Sequence, residues 1–139
     1  MTKDELKHTL RSAWILQQQI DAYKIELQNL RDNANRITPA YSMAPGGSGN
    51  GQRIENAMVK IVDAENLIRS DIELLMLALS EIRAMIATVD DLVLRLILHK
   101  RYLCYQKWEV IAIDLDYDVR WIHVLHSRAL NKILEKTIC

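Results

Sequence analysis

The sequence is short of the features that place a chain in a class at first sight. It has no net charge, because 18 Lys and Arg are matched by 18 Asp and Glu. That removes any chain-wide attraction to nucleic acid or anionic membrane and leaves polyanion binding to a local patch. It has no long apolar run either. The richest stretch, DIELLMLALSEIRAMI, is broken by Glu73, Glu81 and Arg83, short of the roughly 18 apolar residues that a membrane span needs. The opening MTKDELKHTL is charged, unlike an export signal, and its internal KDEL has no retention meaning. A soluble, cytoplasmic protein with no membrane partner is expected. The two cysteines, Cys104 and Cys139, have no CxxC spacing, so two free thiols are expected.

Glycine and proline are missing from most of the chain. Pro39, Pro45, Gly46, Gly47, Gly49 and Gly51, which are all there are, fall in ITPAYSMAPGGSGNG. A flexible linker is therefore expected over 33–52. A phosphate-cradling loop would need a preceding strand and a closing Lys-Ser/Thr pair, and neither is present.

What is there is helical periodicity. Leu6, Thr9, Ala13, Leu16, Ile20, Tyr23, Leu27 and Leu30 recur at alternating steps of three and four, the seam of a coiled coil, which predicts one helix from about Lys3 to Asp32. Ile54, Met58, Ile61, Ala64, Ile68, Ile72, Leu75, Leu79, Ile82 and Ile86 mark a second long helix. Each is the simplest partner for the other, in an antiparallel pair, although the seam could also join two copies as a homodimer. Around Thr88 to Asp91 a break is expected, with Asp90 or Asp91 capping a new helix through Tyr102, and LCYQK reads as a connection. The expected organisation is all-α: 1–88 forms a coiled-coil-like hairpin and 89–139 a helix-turn-helix module.

The last absence is of negative charge. No carboxylate falls between Asp118 and Glu135. Trp108, Ile111, Ala112 and Leu115 give a two-turn helix with one buried face. Leu115, Asp116, Tyr117 and Asp118 form a tight turn, with Asp118 placed to cap the helix that follows. That helix, Val119 to Glu135, buries Ile122, Leu125, Ala129 and Ile133. At about 100 degrees per residue its opposite face carries Arg120, Val124, Ser127 and Asn131, flanked by Trp121, Arg128, Lys132 and His123. Short helix, turn and donor-rich second helix make the pattern in which the second helix enters the DNA major groove. Trp121 is placed either in contact with DNA or partly buried against a neighbouring helix.

LRLILHKRYLCYQKWEVIAIDLDYDVRWIHVLHSRALNKI, residues 94–133, resembles the C-terminal promoter-reading region of bacterial sigma factors, with Arg101, Tyr102, Trp108, Glu109, Ile111, Ala112, Leu115, Ile122, Arg128, Ala129 and Leu130 at the pattern's places. Most of the chain, including GGSGNGQRIENAMVKIVDAE, is similar to sigma-like late-transcription regulators of Gram-positive phages and prophages, the RinA and ArpU group and its uncharacterised relatives. The resemblance implies a phage or prophage transcription regulator working on double-stranded DNA, with RNA polymerase as a further partner. The family turn usually reads Leu-Gly-Tyr-Ser; here Asp116 replaces the glycine and Asp118 the serine. Asp tolerates left-handed backbone and caps helices, so the turn is expected to form. With Asp114, however, these carboxylates place negative charge where phosphate is normally held.

Other chemistry is poorly served. His126 falls near the core face as a structural histidine, and His123, His126 and Cys104 lack a fourth zinc ligand and finger-like spacing. Adjacent Asp90 and Asp91 diverge on a helix, and no nucleophile, base and orienting acid stand at a recognisable spacing. No enzyme, metal or cofactor is expected. The alternative to DNA reading is a protein-interaction module, in which the acidic turn and Trp121 contact a protein such as RNA polymerase.

Overall fold

The computed structural model describes residues 1–43 and 48–138, and the side chains of 1–36 and 51–137. The described residues form five α-helices and no strand: α1 Lys3–Met43, α2 Ser48–Ala87, α3 Leu92–Leu98, α4 Trp108–Leu115 and α5 Val119–Ile138. A π-helical turn, His99–Leu103, continues α3. No described helix is long and apolar enough to cross a membrane.

Two differences from expectation concern chain organisation. Helix α1 extends to Met43 and α2 begins at Ser48, so most of 33–52 is helical and not a linker; residues 44–47, with Pro45, Gly46 and Gly47, lie outside the described residues. The apolar face of α1 continues past Asp32 through Ala34, which packs against Leu27, Ile61 and Ala64. Burial of that face outweighs the weak intrinsic helix preference of the stretch. The compact units also do not divide at residue 88. One is Leu16–Leu74; the other joins Met1–Ile15 to Leu75–Cys139.

The Leu16–Leu74 unit is a helical hairpin. Its buried residues Leu27, Ile61 and Ala64 are flanked by half-buried Leu30, Ala34 and Ile68, and Arg31 pairs with Glu65 across the two helices at 3.7 Å. In α2 the seam runs through Ala57, Ile61, Ala64, Ile68 and Asp71. Met58 and Ile72, expected on it, are 51% and 39% exposed. A repeat averaging 3.5 residues cannot separate 57 from 58 or 71 from 72, and here the smaller Ala57 allows the helices a closer approach.

In the other unit, Leu6, Leu10 and Ala13 of α1 are fully buried, as are Ile97 and Leu98 of α3, Ile111 of α4 and Ile122, Ala129 and Leu130 of α5. Helix α3 starts where its cap can form: Asp91 Oδ1 accepts from the amides of Val93 and Leu94 at 2.9 and 3.1 Å. Helix α4 ends in a paired-bond stop, with the Tyr117 amide donating to Ala112 O at 2.9 Å and the Asp116 amide to Ile113 O at 3.2 Å. Asp116 sits in the left-handed region at φ 57 and ψ 43, so the aspartate does adopt the backbone that glycine would supply. Asp118 Oδ1 then accepts from the Arg120 amide at 3.2 Å, satisfying a free donor in the first turn of α5.

Asp116→Val should lower stability by about 1 to 2 kcal/mol, because a β-branched residue is strained at positive φ, whereas Asp116→Gly should hold or raise the urea midpoint. Equal midpoints for both variants would contradict the left-handed stop.

Candidate functional site

Helix α5 meets its surroundings on three sides. Its inner stripe, Ile122, Leu125, Ala129 and Ile133, is buried as expected, and His126 and Leu130 extend it. One flank faces α1, where Lys3 Nζ donates to Ser127 Oγ. The other flank faces the start of α3, where Arg128, Asn131, Lys132 and Glu135 share a groove with Asp91 and Leu94. Between the flanks lies an open strip.

The eight expected site residues therefore separate. Arg120, Trp121 and Val124 are exposed on the strip, and Arg128 and Asn131 are exposed where it borders the groove beside α3. Trp121 is 41% exposed, and the Arg128 guanidinium lies over its ring, 5.0 Å from the centroid. The indole thus packs under an arginine of its own helix, and the stack fixes both side chains. Lys132 is exposed but pairs with Glu135 at 3.9 Å. Ser127 is half-buried under Lys3 and is not a free hydroxyl. His123 is exposed but turned toward α4, its ring centroid 5.0 Å from that of Trp108.

Beyond His123 the flank opens into a cavity that also takes in Lys7, Arg11 and Trp14 of α1, Arg101 and Tyr102 of the π-helical turn, and Tyr105, Lys107 and Trp108 after it. None of these was expected as a site residue. Periodicity assigns Lys7 and Arg11 to the outer face of a long helix, with no signal that this face meets residues nearly a hundred positions away. Arg101 and Trp108 are in the family-like pattern, but that pattern gives no hint of a shared concavity.

At the floor, Tyr102 Oη and His126 Nε2 are 2.6 Å apart. Burial pushes the Tyr102 hydroxyl up to about 12. Burial also lowers His126 to about 3, with Lys7, His123, Arg101 and Lys3 opposing its charge. Both groups are therefore uncharged at neutral pH, and the hydrogen bond joins a neutral phenol to a neutral imidazole. The Trp108 ring closes on His126 edge-on at 4.6 Å.

The acidic turn is partly neutralised: Lys100 Nζ lies 3.3 Å from Asp114, and Asp118 is occupied in capping. Cys104 is an exposed free thiol, while Cys139 lies outside the described residues. Among the described residues no group of three or more His, Cys, Asp or Glu is placed to hold a metal ion. No family model, curated protein or solved structure matches the chain.

The state of His126 sets a pH dependence. Its folded pKa lies below the ordinary 6.5, so on acidification the unfolded chain takes up the proton first. Its contribution is complete above about pH 6.5 and is lost as pH falls from there toward about 3, by at most about 1.4 kcal/mol per pH unit. Urea unfolding of the native chain and His126→Gln at pH 7 and 5 tests this. An equally steep loss in both would assign the acid sensitivity to other groups.

Proposed function

We propose that the chain is a sequence-specific DNA-binding transcription regulator that reads the major groove with α5. The observation that carries this is the open strip of α5: Arg120, Trp121, Val124, Arg128 and Asn131 are all exposed, and no carboxylate falls between Asp118 and Glu135. The strip offers a guanidinium and an amide for base edges, an apolar surface for a thymine methyl, and a second guanidinium for phosphate. Helix α4, the left-handed stop at Asp116 and the Asp118 cap support a helix-turn-helix reading of the segment. Lys3, on the α1 flank beside Ser127, would lie near the phosphate backbone.

The resemblance to the sigma-like regulators of Gram-positive phages and prophages points the same way and adds RNA polymerase as a partner. The exposed Asp116 and Tyr117 of the turn are the residues available for such a contact. A module that only binds a protein is the competing reading, and salt separates the two. Duplex affinity that falls steeply with salt reports phosphate contact.

Arg120→Ala should cost roughly 1 to 3 kcal/mol on the preferred duplex and relax sequence preference. Arg128→Ala should weaken all duplexes alike and reduce the salt slope by about one. Both variants are measured on the selected and a scrambled duplex at two salt concentrations. Unchanged binding in both would exclude α5 as the reading element.

A homodimer carrying two reading heads is part of the proposal. Met58, Val62 and Ile72, at steps compatible with one helical stripe, are exposed on α2, and a second copy is the simplest cover for such a stripe. Sedimentation at micromolar concentration should give a dimer that Val62→Glu dissociates. A native monomer would require each head to act alone.

A further inference from the structure

The cavity beside α5 has a composition that DNA reading does not call for. It holds about 480 Å³ and is lined by four cations, Lys7, Arg11, Arg101 and Lys107, with no carboxylate among its lining residues. Among the described residues none of the four makes an ion pair. Gathering four like charges around one concavity is unfavourable by itself and becomes favourable when an anion enters. The aromatic walls indicate what else the anion carries.

Two of the cations are held against rings. The Arg101 guanidinium lies 4.6 Å from the Trp108 centroid, and its Nη1 donates to Gln106 O at 3.0 Å. The Arg11 guanidinium lies 4.9 Å from the Trp14 centroid. The third wall is Tyr105, whose φ is 58. That backbone ends the π-helical turn, with the Gln106 amide donating to Lys100 O at 3.0 Å, and it sets the tyrosine ring on the cavity wall. The five-residue π-helical turn just before it carries Arg101 and Tyr102 to the same cavity, and π-turns recur at functional positions. Neutral His126 completes the floor, so the site's positive charge resides on the four cations.

We propose that this cavity binds a nucleoside phosphate, its base lying against the aromatic side of the cavity that Tyr105 and Trp108 line and its phosphate held by Lys7, Arg11 and Arg101. A single carboxylate would leave most of the cations unmatched, whereas a phosphate carries up to two charges and suits the planar fork of an arginine. Inorganic phosphate would leave the ring walls idle. The volume is within the few hundred Å³ of ordinary small-ligand pockets. The same chemistry is available from a free nucleotide or from an unpaired end of a single strand, since each presents a free ring face beside a phosphate. None of Arg120, Trp121, Val124, Arg128 or Asn131 lines the cavity, so the proposal does not depend on α5 reading a duplex.

The test is tryptophan fluorescence, since Trp14 and Trp108 both line the site. The full-length chain is titrated with adenosine and guanosine monophosphates, with adenosine, with inorganic phosphate and with a short single-stranded oligonucleotide. A mononucleotide should quench saturably and bind at least about tenfold more tightly than adenosine or inorganic phosphate. Saturation by the oligonucleotide alone, lost in the Lys7→Ala and Arg11→Ala double variant and kept in Trp121→Phe, would support the site and assign its source to a single strand. The double variant Lys7→Ala with Arg11→Ala, whose side chains are exposed on α1, should keep its helicity and lose at least about tenfold in affinity. Tyr105→Gly should hold or raise the urea midpoint, because glycine accepts the positive φ, while weakening the quench. No saturable response to mononucleotide or oligonucleotide would overturn the proposal. So would phosphate binding as tightly as the nucleotide, or affinity unchanged in the double variant. Duplex binding by the same samples is read separately, so loss of duplex binding in Arg120→Ala with the quench intact distinguishes the two surfaces.

Discussion

A single neutral hydrogen bond sets the geometry of everything around α5. Tyr102, on the π-helical turn, and His126, on α5, meet at 2.6 Å in a buried setting, and Trp108 of α4 packs on the same imidazole. Three elements thus converge on one ring. A buried pair of this kind is directional in a way that apolar contact is not, because each partner would be left unsatisfied in any other alignment. Burial keeps both groups uncharged, which lets the pair exist beside Lys7, Arg101 and Lys3. With His126 held inward, the helical period turns Arg120, Val124 and Arg128 outward.

That arrangement resolves the apparent neutrality of the chain. Equal numbers of acidic and basic residues say nothing of where they fall once residues 3–11 lie in the same compact unit as residues 101–128. Lys3 reaches Ser127, and Lys7 and Arg11 share a cavity with Arg101 and Lys107. Two of the nearby acids have partners away from the cavity, Asp118 at the start of α5 and Asp114 on Lys100. The imbalance is confined to the cavity, whose lining holds four cations and no carboxylate, and that grouping exists only in the folded chain.

Much of this architecture was legible in the sequence. The all-α class, the two long helices, a cap at Asp90 or Asp91, of which Asp91 is the one used, the Asp118 cap, the left-handed Asp116 and the buried stripe of α5 all follow from spacing and side-chain chemistry within a few residues of each other, the range over which local rules hold. The misses are those where a local rule is degenerate or overruled. Steps of three and four cannot choose between Ala57 and Met58. Gly49 and Gly51 signal a loop, yet α2 begins at Ser48. For the site, the outward strip of α5 was readable, but the occupation of Ser127 by Lys3 and the turning of His123 toward Trp108 needed the packing of α1 and α4. The cavity was least legible of all, because its walls come from segments nearly a hundred residues apart.

The two positive-φ residues share a structural role and differ in the surroundings of their side chains. Asp116 and Tyr105 have nearly the same φ, 57 and 58. At Asp116 the left-handed backbone closes two hydrogen bonds that stop α4, and a short polar residue tolerates it. Local chemistry and the global fold agree there. At Tyr105 the same backbone ends the π-helical turn, with the Gln106 amide donating to Lys100 O at 3.0 Å and the Cys104 amide to His99 O at 3.1 Å, but a bulky ring tolerates it less well than glycine would. What the tyrosine adds is an aromatic ring on the wall of a cavity that Arg101 and Trp108 also line. A left-handed stop is thus local chemistry at both positions, and what sets Tyr105 apart is that its ring lines a cavity with four cations and no carboxylate, an unmatched charge that separates the cavity from an incidental gap between helices.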